Sequence, residues 1–406
     1  MENGKGYTAK KVKIHNILFV IGVVGVIALN VMSWQSVEFS DWYIQYIFPI
    51  WLNTYARLTS MIPISIGEVM LAVAVFVTLF GIGFFVFNLI CKGRYTRTLK
   101  DFGTFYVWTS LAVCYIMTLN CFILYHGSSF SEKYMLRAND SDMMVAGTSD
   151  STVLQVYAAR NETTSQNTYT KRELATLRDY LVKKCNTLSA EIDRDDSGCA
   201  YYDGDLIEAS RQAMMKLGED YEQLAGFYVR PKYLKCSEFF SQQYIMGYYF
   251  PFSMEANINS VMHITNVAPT VCHELAHTKG FIYEDDANMI GFLACINSDD
   301  TFLQYCGYLS VLNYVNNEFY ESIGKNTSTY RCHVRINDMV SDDNIFLTRE
   351  SWQAVEKKAV IKTSTVKKVS TKLMDTTLKM NGVEEGMLQY NGVVGLLLDY
   401  YDGELY

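Results

Sequence analysis

Three long runs without a charged side chain most constrain how this chain can fold. They cover residues 17–34, 69–90 and 105–125. A helix of about 20 apolar residues spans the hydrocarbon core of a bilayer, so each run predicts a transmembrane helix. A cleaved signal peptide is a poor explanation of the first run, because two further spans follow it and no small-residue cleavage site is evident after Trp34.

The basic residues predict how these spans are oriented. They are concentrated in the N-terminal tail, residues 1–16, and in the loop between the second and third spans, whereas residues 36–68 contain only Arg57. The positive-inside rule therefore predicts a cytoplasmic tail and a chain that lies outside the cytoplasmic membrane after the third span. We expect a multi-pass cell-membrane protein whose first partner is the lipid bilayer, with a membrane region at 17–125.

The first external loop is rich in aromatic residues. Two interpretations fit equally well: an aromatic belt along the membrane interface, or the packed core of an external hairpin. The residues concerned are Trp34, Trp42, Tyr43, Tyr46, Trp51 and Tyr55. Glu68, at the end of the second run, is expected to be an interfacial residue rather than a proton carrier.

The remaining chain predicts a stalk or loop at 126–169 and an extracytoplasmic domain at 170–406. A capping box at residues 170–173 opens one helix, a second is expected near 205–217, and two or more near 349–401. Aromatic and β-branched residues between 227 and 252 predict short strands. The fold class expected is α+β, mainly helical, with a small sheet. The net charge of −8 argues against a nucleic-acid partner.

The motif His273-Glu274-Leu275-Ala276-His277 carries the chemistry. On a helix, residues four apart project from one face, so both imidazoles can bind a single Zn²⁺. The glutamate between them lies where it can activate a water at that metal. The motif therefore predicts a zinc site with two histidine ligands and Glu274 as the catalytic base.

The flanking residues predict the helix that this site needs. Pro269 suits a first helical turn, and Gly280 falls where a helix ends in the left-handed conformation. The alternative is a pair of histidines satisfied by hydrogen bonds on an ordinary amphipathic helix. That alternative requires neither Glu274 nor a third ligand nearby.

Acidic residues open a second predicted helix soon after Gly280. Glu284 and Asn288 share a face of that helix, so Glu284 can bind zinc while Asn288 hydrogen-bonds a ligand or the neighbouring helix. Acids in a first helical turn also complement the helix dipole without binding metal. We expect Glu284 as the third ligand, with Asp285 or Asp286 as the open alternatives.

Four further residues are candidates for substrate contacts or oxyanion support: Glu255, Asn257, Tyr308 and His333. The first two lie in the segment 248–259. As an edge strand, this segment can pair with an extended peptide substrate. An internal strand or a loop explains the same segment equally well.

The central motifs resemble those of the bacterial membrane family catalogued as domain of unknown function 3810. The resemblance rests on the segment 249–259, on HELAH with the following TKGF, on EDDAN at 284–288 and on Gly307-Tyr308-Leu309. A weaker similarity covers residues 379–398. The resemblance implies N-terminal transmembrane segments and a C-terminal domain with a zinc-peptidase site, and it implies no substrate.

The pattern E-x-x-A-N that begins at Glu284 is also similar to one found in several zinc peptidases with a glutamate ligand. These include membrane-bound heat-shock peptidases and peptidases that cleave phage repressors. The similarity implies that Glu284 is the third ligand and that Asn288 is the closing polar residue. Only six residues separate His277 from Glu284, so the second helix must fold back through a tight turn at Gly280.

These residues together predict a membrane-anchored zinc metallopeptidase that acts on peptides or proteins of the cell envelope. Zinc is the expected cofactor, and a variant of the hypothesis has an amide of the cell wall as substrate. The alternative is a non-catalytic envelope protein with a structural or ligand-binding zinc site. A transporter or sensor is disfavoured because the spans contain no central charge.

Overall fold

The computed structural model describes residues 2–135, 169–380 and 392–406, which are mainly helical with one small sheet. The mainly helical α+β class is confirmed. Residues 136–168 of the predicted stalk lie outside the described ranges. The helices are α1 (Glu2–Gln35), α2 (Val37–Trp42), α3 (Phe48–Asn53), α4 (Tyr55–Ser60), α5 (Ile66–Ile90), α6 (Thr96–Met117), α7 (Lys171–Leu188), α8 (Leu206–Leu217), α9 (Ser237–Gln242), α10 (Val267–Thr278), α11 (Glu284–Ile296), α12 (Thr301–Ser322), α13 (Thr327–Tyr330), α14 (Asp338–Asp343), α15 (Arg349–Lys358), α16 (Thr363–Met380) and α17 (Val393–Tyr401). The strands are β1 (Lys232–Tyr233), β2 (Gly247–Phe250) and β3 (Glu255–Ile258).

Three helices are long and apolar enough to cross a membrane. The candidate spans are Ile14–Gln35, Ile66–Ile90 and Thr96–His126, the last of which continues α6 through short π and 3₁₀ turns. The first two bury almost none of their apolar windows within the protein. Apolar helices with so little protein cover require lipid around them, which marks the chain as a membrane protein.

The segment from α2 to α4 has two apolar faces. One face, which includes Ile44, Phe48 and Leu52, is buried in the protein core. The opposite face remains exposed and carries Trp42, Tyr46, Ile50, Trp51, Leu58 and Met61. Tyr43 is thus buried, as the packed-core interpretation expects, and Trp42 is about half exposed at 49%, while the membrane-interface interpretation stays a prediction.

The small sheet has the strand order β1-β3-β2, with β3 parallel to β1 and antiparallel to β2. Strand β2 is therefore an edge strand. The amide of Asn259 bonds to the carbonyl of Met246, so Tyr248 and Phe250 bond towards β3, while Gly247 and Tyr249 turn their backbone groups to the open edge.

Helix α10 lies at the centre of the domain, because it packs against α8, α11, α12 and strands β2 and β3. Most of its side chains are buried. It begins at Val267, so Pro269 lies in its first turn as predicted. Gly280 has φ +94°, the left-handed conformation expected after the helix.

Candidate metal centre

The two histidines of α10 project side by side, as their spacing of four predicts. The Nε2 atoms of His273 and His277 lie 3.1 Å apart. His277 is buried and His273 is nearly so. Ligands held on a packed helix have few alternative positions, which is the property a metal site needs.

Helix α10 ends in a Schellman motif, and the turn that follows brings Glu284 back to the two histidines. The amide of Phe281 bonds to the carbonyl of Ala276, and the amide of Gly280 bonds to the carbonyl of His277. This turn reverses the chain within the six residues before Glu284. The tight turn at Gly280 that the short gap requires is therefore present.

Glu284 is the acidic residue that joins the histidines. Its Oε2 atom lies 3.1 Å from Nε2 of His273, and one ligand atom each from His273, His277 and Glu284 fall within 4.8 Å of one another. The carboxylate of Asp286 instead accepts the amide of Phe130 at 2.9 Å. Asp285 and Asp286 do not belong to this three-residue group.

Hydrogen bonds on the far side of each ring fix the imidazole tautomers. Nδ1 of His277 lies 2.7 Å from the carbonyl oxygen of Phe281, which can only accept, so this nitrogen donates. Nδ1 of His273 lies 3.0 Å from Oδ1 of Asn288 and donates in the same way. Neutral imidazoles that donate from Nδ1 present a lone pair at Nε2.

Three hydrogen-bond acceptors therefore converge: two imidazole lone pairs and a carboxylate oxygen. Acceptors 3.1 Å apart repel one another unless a positive charge lies between them. A single proton can relieve one of these contacts, whereas one cation can relieve all of them. Zinc ligands at about 2.1 Å in tetrahedral geometry are roughly 3.4 Å apart, close to the two separations of 3.1 Å.

The environment separates the pKa values of the two histidines when no metal is bound. Burial lowers the pKa of His277 to about 4, aided by the charge of His273. Burial also acts to lower the pKa of His273, but the hydrogen bond and charge of Glu284 outweigh it and raise this pKa to about 9. Without a metal, a proton shared between His273 and Glu284 relieves the contact between these two groups.

Glu274 lies beside this group, pressed against strand β2. Its side chain is buried, and its Oε2 atom has no hydrogen-bond partner. Burial raises its pKa to about 8, which the charge of His273 and the backbone amide of Tyr249 partly oppose. A carboxyl group with a pKa near neutrality can both take and release a proton.

Two of the residues predicted to contact substrate, Glu255 and Asn257, lie in β3 and have hydrogen-bond or ion-pair partners within the protein. Glu255 forms a buried ion pair with Lys232. The side-chain amide of Asn257 donates to the carbonyl of Tyr248 at 3.3 Å, while its Oδ1 atom is buried without a partner. The structure does not bring either residue into the group of metal ligands.

The other two candidates pack within the helical core. Tyr308 contacts the rings of Tyr180 and Phe292, and His333 pairs with Asp179 at 3.0 Å. Neither belongs to the ligand group. All four substrate contacts remain predictions that these positions do not test.

Sequence reasoning missed the close approach of Gly247 to Glu274. A Cβ atom added at Gly247 would lie 2.5 Å from Oε1 of Glu274. A glycine inside a strand pattern signals that another group approaches the backbone closely, and that signal was available in the sequence. Sequence reasoning also missed the role of the Phe281 carbonyl, because every residue type has a backbone carbonyl and the sequence does not show which one will bind a histidine.

Comparison with known protein families matches residues 43–398 to the family described as "Protein of unknown function (DUF3810)". The match includes the motif helix α10, the acidic start of α11 and two of the three candidate membrane spans. No curated protein and no solved structure gives a significant match.

Proposed function

This chain belongs to the DUF3810 family, and we propose that it is a zinc-dependent peptidase anchored in the membrane by three helices. The observation that carries the proposal is the convergence of His273, His277 and Glu284, with Glu274 beside them. Two imidazoles and a carboxylate form a donor set that zinc uses in catalytic sites.

The number of ligands supports a catalytic rather than a structural metal. Structural zinc sites are usually closed by four protein ligands, whereas catalytic sites have three and leave one position for water or substrate. Among the residues that the structure describes, the ligand group has three members. Two buried atoms at the site, Oε2 of Glu274 and Nδ2 of Asn288, also have no hydrogen-bond partner. Unpaired polar atoms of this kind fit a site that takes up water or a polar substrate.

Glu274 is the proton carrier of the proposed reaction. Zinc, when bound, lowers the pKa of a coordinated water and polarises the substrate carbonyl. Oε2 of Glu274 accepts a proton from the attacking water and delivers it to the leaving amine. The hydrogen bonds from His273 to Asn288 and from His277 to Phe281 hold both rings in the orientation that ligation requires.

Strand β2 supports a peptide as the substrate. It is an edge strand, and Gly247 and Tyr249 turn their backbone groups towards the open edge, where the amide of Tyr249 faces the carboxylate of Glu274. An extended chain that pairs with this edge passes directly over the carboxylate. The prediction that the segment 248–259 offers an edge strand thus applies to β2, whereas β3 is internal.

The distribution of basic residues supports a site outside the cytoplasmic membrane. Within the proposed topology the C-terminal end of α1, the start of α5 and the end of α6 face the same side as the domain. The loop between α5 and α6, with Lys92 and Arg94, and the first two turns of α6, with Arg97 and Lys100, face the other side. A cytoplasmic location of this loop places the zinc site outside.

The depth of burial favours the one alternative function, a non-catalytic protein with a structural zinc. His277 and Glu274 are 7% and 4% exposed, so little of either side chain reaches solvent. The two functions differ in what Glu274 does. A structural site does not need this carboxylate, whereas hydrolysis does.

Metal analysis of the full-length protein tests the site itself. We expect about one zinc per chain after purification without chelators, and loss of zinc in the variants His277→Ala and Glu284→Gln. Asp285→Asn is the matched control, because it changes the neighbouring acid on the same turn and should keep its zinc. Wild-type protein without zinc would contradict the proposal.

Replacement of Glu274 by Gln separates the two functions. Gln keeps the size of the side chain but cannot carry the proton, so we expect full zinc content and a loss of activity of roughly 10²-fold to 10⁴-fold. New peptide N-termini should be compared between cells that carry the wild-type and the variant protein. Identical sets of N-termini would favour the structural zinc site.

A further inference from the structure

We propose that the bilayer selects the substrate: the site cuts the stretch of a membrane-anchored protein that lies directly outside the membrane. This inference rests on the peptidase proposal and adds the class of substrate. It follows from short, buried contacts that fix the distance between the ligand helices and the membrane helices.

The start of α5 marks one boundary of the bilayer. Residues 69–90 contain no charge and are about 33 Å long as a helix, close to the thickness of the hydrocarbon core. Glu68 lies just before them and accepts the amides of Lys235 and Cys236 at 2.9 and 2.8 Å. A carboxylate bound to the backbone of the external domain must lie at or above the hydrocarbon boundary.

Strand β2 connects this boundary to the site, so its length gives the distance between them. Its last residue, Phe250, packs on the first turn of α5, where a Cβ atom added at Gly67 would lie 2.7 Å from the Phe250 ring. Its first residue, Gly247, lies against the carboxylate of Glu274. Three residue steps along a strand cover about 10 Å. The catalytic base is therefore roughly 10 Å from the first turn of a membrane helix.

This distance is held by a buried polar connection rather than by a flexible linker. The carboxylate of Glu255, at the start of β3, accepts the amides of Ile66 and Gly67 at 3.2 and 2.9 Å. The same carboxylate pairs with Lys232, whose ammonium group also donates to the carbonyl of Thr59 at 2.8 Å. Glu255 is 2% exposed, so the helix start and the sheet form one buried unit.

A second connection joins the metal-binding helices to the end of the third span. The hydroxyl of Tyr283, the residue before Glu284, donates to the carbonyl of Tyr125 at 2.6 Å. The amide of Phe130 donates to Asp286 in the first turn of α11. The metal ligand Glu284 therefore sits directly on the end of the third membrane span, independently of the contact through β2.

The exposed face of the segment from α2 to α4 is expected to lie along the same membrane boundary. Trp42 and Trp51 are about half exposed, and Leu58 and Met61 are 66% and 80% exposed. This apolar and aromatic face continues directly from α1 and into α5. Aromatic residues of this kind favour the level of the lipid headgroups. The segment and the site beside it thus lie at the membrane surface.

A site at this height favours a particular substrate. An extended chain covers about 3.3 Å per residue, so roughly three residues beyond the bilayer are enough to cover the ~10 Å between the first turn of α5 and Glu274. A bond within the first 15 or so residues can reach the site while its anchor stays in lipid. Confinement to the membrane also raises the effective concentration of such a segment.

A membrane-anchored substrate on which the positions of the cuts can be mapped tests this inference. The probe is a single-span protein with a disordered extracytoplasmic tail of about 60 residues of randomised sequence, placed in liposomes with the full-length zinc-loaded protein. The same tail without its span is the comparison substrate. We expect cuts within the first 15 or so residues of the anchored tail, at least tenfold faster than in the free tail, and none with Glu274→Gln.

The other possible results contradict either selection by the bilayer or the peptidase proposal itself. Cuts spread evenly along the anchored tail, or equal rates on both tails, would overturn selection by the bilayer and leave the peptidase proposal standing. If neither tail is cut by the wild-type protein, the peptidase proposal fails and this inference fails with it. The mapped cleavage positions distinguish the two failures.

Discussion

At Gly247 the side chain is a single hydrogen atom, and the Glu274 carboxylate occupies the space that a larger side chain would need. Both groups are held in place: Gly247 by the bonds of its neighbours Met246 and Tyr248 towards β3, and Glu274 by the buried helix α10. An added methyl group must therefore displace one of them. The flexible carboxylate moves more easily than the strand.

We therefore expect Gly247→Ala to reduce peptidase activity about 10²-fold, because a displacement of about 1 Å in a catalytic group has an effect of that size. Zinc content should not change, since the atoms nearest to the added methyl group belong to Glu274 and not to a proposed ligand. Gly395→Ala is the control, because that glycine has open space around it and should tolerate the methyl group. Unchanged activity of Gly247→Ala would show that Glu274 does not need its present position.

Asn288 allows a prediction about zinc affinity. Its Oδ1 atom fixes the ring of His273, so Asn288→Ala removes the orientation of a ligand but not the ligand itself. Loss of such a partner typically weakens metal binding by roughly 10-fold to 100-fold. Competition with a zinc chelator measures the effect. Asn313→Ala, at an exposed position paired with Asn344, should leave the affinity unchanged.

At the scale of elements, the turn between α10 and α11 determines whether a third ligand is available. Gly280 adopts φ +94° and allows the Schellman motif, and the next residue supplies the carbonyl that orients His277. One left-handed residue therefore connects three features of the site: the end of α10, the tautomer of His277 and the return of Glu284.

Gly280→Ala should destabilise the protein by about 1–2 kcal/mol, because a residue with a Cβ atom is strained in this conformation. It should also weaken zinc binding by roughly tenfold, since the Phe281 carbonyl shifts with the turn. Gly403→Ala is the matched control: its φ is +77° with no atoms nearby, so it carries similar strain far from the metal. Equal zinc affinity in the two variants would contradict this role of the turn.

The sequence predicted those parts of the site that depend on local spacing. The interval from His273 to His277, the first-turn position of Pro269 and the left-handed Gly280 all follow from helix geometry. The contact of Gly247 with Glu274 did not follow, because it joins a strand to a helix 27 positions away in sequence. The partner of Glu255 did not follow either, because a lone acidic residue gives no sign of an ion pair such as the one with Lys232, and the substrate contact of Glu255 stays a prediction.

At the scale of the whole molecule, buried polar contacts join the C-terminal domain to the membrane helices, and Glu255 makes several of them. This carboxylate binds Lys232 and the first amides of α5, and these groups lie far apart in sequence. A buried ion pair contributes little net stability by itself, but the loss of one partner leaves an uncompensated charge. Loss of Glu255 should therefore weaken the attachment of the domain to the membrane region.

Glu255→Gln should consequently lower stability by about 3–5 kcal/mol, which corresponds to a fall in Tm of roughly 10 °C for the full-length protein in detergent. Glu238→Gln is the control, since it breaks the exposed pair with Lys358 and should shift Tm by only a degree or two. The double variant Lys232→Met with Glu255→Gln should recover much of the loss, because no unpaired charge remains. If Glu255 instead contacts substrate, Glu255→Gln will raise KM at an unchanged Tm, and the double variant will restore nothing.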